Sequence, residues 1–171
     1  MQLPQKIKSS DDFQTPKEAI NSLCKYIPKD WIIWECACGK GNLVEAFKNK
    51  GFKVIASDLY DNPYNGGVDF LIKKPTEPYD VIITNPPYSI KQQFLERAYI
   101  LDKPFAFLLP LTTFETKKRQ ELFKTYGLEV IFLDKRINFQ TPSGQGSGSW
   151  FATAWFTNKL NLGQSFIFES L

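Results

Sequence analysis

The chain has 171 residues, 43% of them apolar and 23% charged, which suits one domain with a full-sized core. It has no histidine and only three cysteines, Cys24, Cys36 and Cys38, so Ser-His-Asp triads, histidine metal sites and a secreted disulfide framework are excluded. The net charge of +3 favours an anionic partner only mildly. Reduced thiols suit a cytosol, the first residues lack an apolar signal core, and no apolar run is long enough to cross a bilayer. A cytoplasmic protein without membrane contact is expected.

In chain order, Thr15-Pro16-Lys17-Glu18 reads as a capping box with proline at the first helical position. Ala19, Ile20, Leu23 and Ile27 follow at helical spacing. The run WIIW (31–34) is the first strand. Asn42 with Glu45 opens a second helix that Gly51 is placed to end. KVIAS (53–57) and DVIIT (80–84) are further strands, and Ser89 with Gln92 opens a third helix. FAFLL (105–109), a helix over about 115–126 closed by Gly127, EVIFL (129–133) and WFATAWF (150–156) complete the series. Nearly continuous apolar runs alternating with helices predict strands covered on both faces, in right-handed βαβ units of a doubly wound α/β sheet. EVIFL and WFATAWF have no helix between them and are expected to form an antiparallel C-terminal hairpin at the sheet edge. No linker or repeat divides residues 1–171, so a single domain is expected.

Ligands of such sheets bind beyond the carboxyl ends of the strands. After the first strand come Glu35-Cys36-Ala37-Cys38-Gly39-Lys40-Gly41. Two glycines one residue apart permit a tight turn and close approach of a ligand. Val44 stands where the dinucleotide fingerprint needs a third glycine, which disfavours NAD and FAD, and no phosphate-loop pattern is present. The second strand ends at Asp58, whose carboxylate can accept both hydroxyls of a ribose or cap a helix. Cys36 and Cys38 flank a small-residue loop and read as packing residues.

The third strand runs into Asn85-Pro86-Pro87-Tyr88. Pro86 keeps Asn85 out of the helical region, and neither proline has an N–H. The result is a stiff turn presenting the Asn85 amide and backbone carbonyls in fixed directions. Two acceptors so placed can take both hydrogens of one amino group, and Tyr88 offers a face for a planar ring. Alignment and electrostatics of this kind need no strong base, which is compatible with a chain that lacks histidine.

Together, the acid-x-x-x-Gly-x-Gly loop, Asp58 and Asn85-Pro86-Pro87-Tyr88 resemble the class I S-adenosylmethionine-dependent N6-adenine methyltransferases, in particular small phage-type DNA adenine methyltransferases. The resemblance implies a Rossmann-like fold, with a mostly parallel sheet, and S-adenosylmethionine as cofactor. It implies a flipped DNA adenine whose amine meets Asn85, Pro86, Pro87 and Tyr88. It also implies that Phe13, Thr15 and Pro16 help hold the cofactor's methionine end. Glu35, Cys36, Gly39, Gly41 and Asp58 would line the cofactor, and Asp69 and Phe70 would lie near its adenine. Phe139 would pack on the flipped base. The pattern spans about residues 11 to 157.

Restriction-associated members carry a separate target-recognition domain, for which this sequence offers no segment. Sequence reading would then fall to loops (59–67, 111–118 and the Gly/Ser loop 141–149), or to a second subunit, with a homodimer as one arrangement. Lys117, Lys118, Arg119, Lys135 and Arg136 are candidates for phosphate contacts or solvated charges. RNA adenine methylation, protein glutamine methylation and a non-catalytic nucleic-acid-binding module are the alternative functions.

Overall fold

The computed structural model of the protein describes residues 13–140 and 151–171. Among these, seven strands form one sheet. They are β1 (Ile32–Glu35), β2 (Lys53–Ala56), β3 (Val81–Thr84), β4 (Phe105–Pro110), β5 (Glu129–Leu133), β6 (Thr153–Asn158) and β7 (Phe166–Glu169). The helices are α1 (Asn21–Cys24), which continues a 3-10 turn over Lys17–Ile20, α2 (Asn42–Asn49), α3 (Lys91–Leu101) and α4 (Lys117–Tyr126). No described helix is long and apolar enough to cross a membrane.

The strand order is β2-β1-β3-β4-β6-β5-β7. Strands β2, β1, β3 and β4 pair in parallel, while β6 pairs antiparallel with both β4 and β5. This is a Rossmann-like, mostly parallel sheet covered on both faces. Alternation along the strands divides the core in two. Ile33, Val81, Ile83, Ala106, Leu108, Ile131 and Trp155 face the layer of α1 and α2. Trp34, Ile82, Phe105, Phe107, Leu109, Val130 and Phe156 face the opposite layer, to which α3 contributes Phe94, Leu95 and Ala98. All six residues of β4 and of β6 are buried, as expected for the middle of the sheet.

Two sequence expectations are corrected here. The β5–β6 pair is antiparallel, but β6 lies inside the sheet, between β4 and β5, and not at its edge. The edge is β7, paired in parallel with β5 through Phe166–Glu169, a strand too short for its alternation to stand out from the sequence. The Thr15 capping box does not form: Pro16 is the N-cap residue, without a side-chain cap bond, and the helix begins as a 3-10 turn. Of the caps, α4 has the side-chain bond, with the Thr116 hydroxyl accepting the Arg119 N–H.

Candidate active site

Strands β1, β3 and β4 all end on one edge of the sheet, and the segments that follow them meet there. Gly39 and Gly41 adopt φ of +51° and +91°, which wraps the turn after β1 tightly into α2. Asp58 ties this turn to β2. Its Oδ2 accepts the Gly39 N–H at 2.9 Å, and its Oδ1 accepts the Tyr60 N–H at 2.9 Å. Each carboxylate oxygen keeps a further lone pair.

A small cleft opens beside the turn, with Phe13, Thr15, Glu35, Gly39 and Asn85 among its lining residues. Glu35 is the one acidic residue among those lining it. It is 1% exposed, with Oε1 accepting the Ala37 N–H at 3.0 Å. Burial pushes its carboxyl up to about 8. The Thr84 hydroxyl and the Ala37 N–H favour the ionised form but do not offset that burial, and Asp58 adds to the rise. No well-aligned hydrogen bond joins the Thr84 hydroxyl to Glu35, and Thr84 Oγ1 is buried without a partner.

The turn after β3 carries Asn85 to the same cleft. Asn85 Nδ2 donates to Thr15 Oγ1 at 2.9 Å, across 70 residues of sequence. Asn85 Oδ1 is buried and accepts no hydrogen bond. The Pro87 carbonyl is engaged by the Ile90 N–H. Tyr88 begins a 3-10 turn, and its hydroxyl is also buried without a partner, which drives its pKa far above the ordinary phenol value. A buried amide oxygen without a donor is costly, and a site that retains one is poised for a donor from outside.

The N-terminal segment crosses this edge. Gln14 forms two backbone bonds with Gln140, both 3.0 Å, in an isolated antiparallel bridge. Phe13 is thereby held 6.1 Å from Tyr88, nearly parallel at 30°, and 5.8 Å from Phe139. Phe151, just before β6, closes the group against Tyr88 and Phe139. Phe139, proposed from sequence beside the target base, is 2% exposed within this aromatic group.

Other sequence candidates lie further off. Cys36 is buried in the core behind the turn, and burial raises its thiol pKa well above the ordinary value. Phe70 is 2% exposed and packs against Trp34 and Phe94. No strand forms over residues 57–80, and Asp69 caps a turn by accepting the Leu71 N–H. Pro16 leads out of the segment as a cap residue. Lys118 pairs with Glu96 at 2.8 Å, and Arg119 Nε donates to the Thr113 carbonyl at 2.6 Å. Lys117, Lys135 and Arg136 are exposed. The 141–149 loop lies outside the described residues.

Sequence reading overlooked Tyr64 and Phe151. Tyr64 covers Gly41 so closely that a Cβ there would sit 2.4 Å from its hydroxyl, which donates to Glu45. It belongs to the 59–67 loop, which folds back through Asn62 against Cys38. No sequence signal separates this tyrosine from others in a polar loop.

No family model matches the chain. Among solved structures, it is similar over 94% of its length to a modification subunit of a candidate type I restriction enzyme from Vibrio vulnificus YJ016, at 13% identity and a TM-score of 0.57. It is similar over 85% of its length to the 23S rRNA methyltransferase ErmE, at 13% identity and a TM-score of 0.60, covering 68% of that chain. A TehB-like SAM-dependent methyltransferase from Corynebacterium glutamicum matches 83% of it, at 13% identity and a TM-score of 0.52, with 86% of that chain covered. The fold is a methyltransferase fold. At 13% identity the likeness is one of architecture. The chain spans about half, 47%, of the length of the Vibrio subunit. Within the methyltransferase fold, the cleft of Glu35, Gly39 and Asn85 lies at the carboxyl ends of the parallel strands, where such sheets bind ligands.

Proposed function

We propose that the protein transfers a methyl group from S-adenosylmethionine to the N6 amino group of adenine in DNA. The observation that carries this reading is Asn85. Its amide oxygen is buried and unpartnered, its amide nitrogen is held by Thr15, and it lines the same cleft as Glu35 and the glycine turn. An acceptor fixed in that state suits an incoming N–H.

The residues present fit the cofactor. The glycine turn allows close approach, Asp58 has lone pairs for ribose hydroxyls, and Glu35 offers a carboxylate for a cationic end. The cofactor supplies an electrophilic methyl group on a sulfonium sulfur. Transfer of that methyl group to the amine nitrogen would leave the electron pair of the broken bond on sulfur. One amine proton leaves to solvent. Asn85 Oδ1 takes one amine hydrogen, and the second acceptor comes from the Asn85 or Pro86 carbonyl, since that of Pro87 is engaged. Holding both hydrogens directs the nitrogen lone pair at the methyl carbon. Tyr88 and its aromatic neighbours supply the apolar wall for a flipped base.

One neighbour is a modification subunit of a candidate type I restriction enzyme and another a 23S rRNA methyltransferase. The latter makes RNA adenine the second reading beside DNA. Duplex DNA, single-stranded DNA and structured RNA, each incubated with cofactor and the purified chain, separate the two by the methylated nucleoside found. N6-methyldeoxyadenosine is the expected product. Methylated adenosine in RNA alone would move the assignment to RNA, and no methylated adenine in any polymer would end it.

A further inference from the structure

We infer that Thr15 is a positioning residue: its hydroxyl anchors the nitrogen of the Asn85 amide and so holds the amide oxygen toward the target amine. The inference rests on the reading of Asn85 as the acceptor of that amine.

The two ends of an asparagine amide are nearly the same shape and opposite in hydrogen-bonding sense. With oxygen toward the substrate, Asn85 accepts an amine hydrogen. With nitrogen toward it, two donors face each other. Backbone N–H groups do not decide the matter, because Pro86 and Pro87 have none. In the structure Thr15 Oγ1 accepts from Asn85 Nδ2 at 2.9 Å, and Asn85 Oδ1 is left without a partner. The hydroxyl is free for this because the capping bond that its sequence context predicts is not made.

Its position is fixed from three sides. Gln14 is bridged to Gln140, the Thr15 carbonyl accepts from Asn42 Nδ2 at 3.3 Å, and Trp155 Nε1 holds the Ala19 carbonyl at 3.1 Å. Thr15 itself is 4% exposed, so water does not substitute readily for its hydroxyl. A hydroxyl also donates as well as accepts. If residue 85 is made a carboxylate, Thr15 can turn its proton toward one oxygen and leave the other facing the amine.

The test compares Thr15→Val, Thr15→Ser, Asn85→Asp and the Thr15→Val/Asn85→Asp double variant with wild type. It uses single-turnover methylation of an adenine-containing oligonucleotide at saturating cofactor, together with cofactor Kd by calorimetry. Thr15→Val is expected to slow turnover at saturating cofactor fivefold to tenfold, and Thr15→Ser to recover most of the rate. Asn85→Asp should keep measurable activity that the double variant loses beyond the product of the single effects. NMR of the Asn85 side-chain amide, assigned by its loss in Asn85→Asp, should show faster exchange with water in Thr15→Val but not in Thr15→Ser. A Thr15→Val enzyme at wild-type rate, a serine variant as slow as the valine one, or unchanged amide exchange overturns the inference. If wild type methylates no adenine, the proposed function fails, and the amide exchange still decides whether Thr15 holds Asn85.

Discussion

Replacing Glu35 by glutamine perturbs the cleft without altering its shape. Glu35 is 1% exposed, and burial raises its carboxyl from the ordinary 4.5 to about 8. Ionising it in the folded protein therefore costs about 5 kcal/mol, at 1.36 kcal/mol for each pKa unit. A carboxyl whose folded pKa lies above its unfolded one stabilises the fold fully below about pH 4.5. That contribution is lost as pH rises toward 8. Without ligand, wild type should lose roughly 3–4 kcal/mol relative to Glu35→Gln between pH 5 and pH 8, read by urea unfolding at several pH values. Ligand binding shows the opposite sign. A cationic cofactor needs the ionised carboxyl, so wild-type affinity should rise about tenfold from pH 6 to pH 7 while the glutamine variant stays flat. Calorimetry with S-adenosylhomocysteine measures this. Parallel pH profiles for the two proteins in both assays would refute the reasoning.

Gly41→Ala should destabilise by about 1–3 kcal/mol, since φ there is +91° and the new Cβ meets the Tyr64 hydroxyl. Gly51→Ala, at φ +87° with nothing within 4 Å, isolates the backbone part, and in denaturant titrations its cost should be smaller. Trp155→Phe removes the bond to the Ala19 carbonyl and part of a fully buried ring, so a loss of about 2–3 kcal/mol is expected in the same assay. Asn85→Ala should lower methyl transfer at least about a hundredfold while leaving cofactor Kd within about threefold. A large loss of cofactor binding in that variant would reassign Asn85 to the cofactor.

The parallel half of the sheet was legible because its strands are buried on both faces and read as unbroken apolar runs. The turns at Gly39, Gly41 and Asn85 were legible because glycine and proline act on the backbone locally. What escaped depends on distant partners. Thr15 has the spacing of a helix cap, but its hydroxyl goes to Asn85, 70 residues on. Phe70, expected from the resemblance near the cofactor adenine, also packs between Trp34 and Phe94, contacts made across distant parts of the chain. The place of β6 between β4 and β5 is a matter of strand order, which hydrophobic pattern does not encode. Asp58 falls at the expected strand end, and its bonds to Gly39 and Tyr60 add a structural duty that composition does not signal.

The central claim is that Asn85 presents an acceptor to an adenine amine beside a bound methyl donor. Incubating DNA with the protein and S-adenosylmethionine deuterated at the methyl group, followed by mass spectrometry of the nucleosides, tests it most directly. The account predicts label on adenine N6 from wild type and none from Asn85→Ala. Label on cytosine, label on protein alone, or equal label from the two proteins would contradict it.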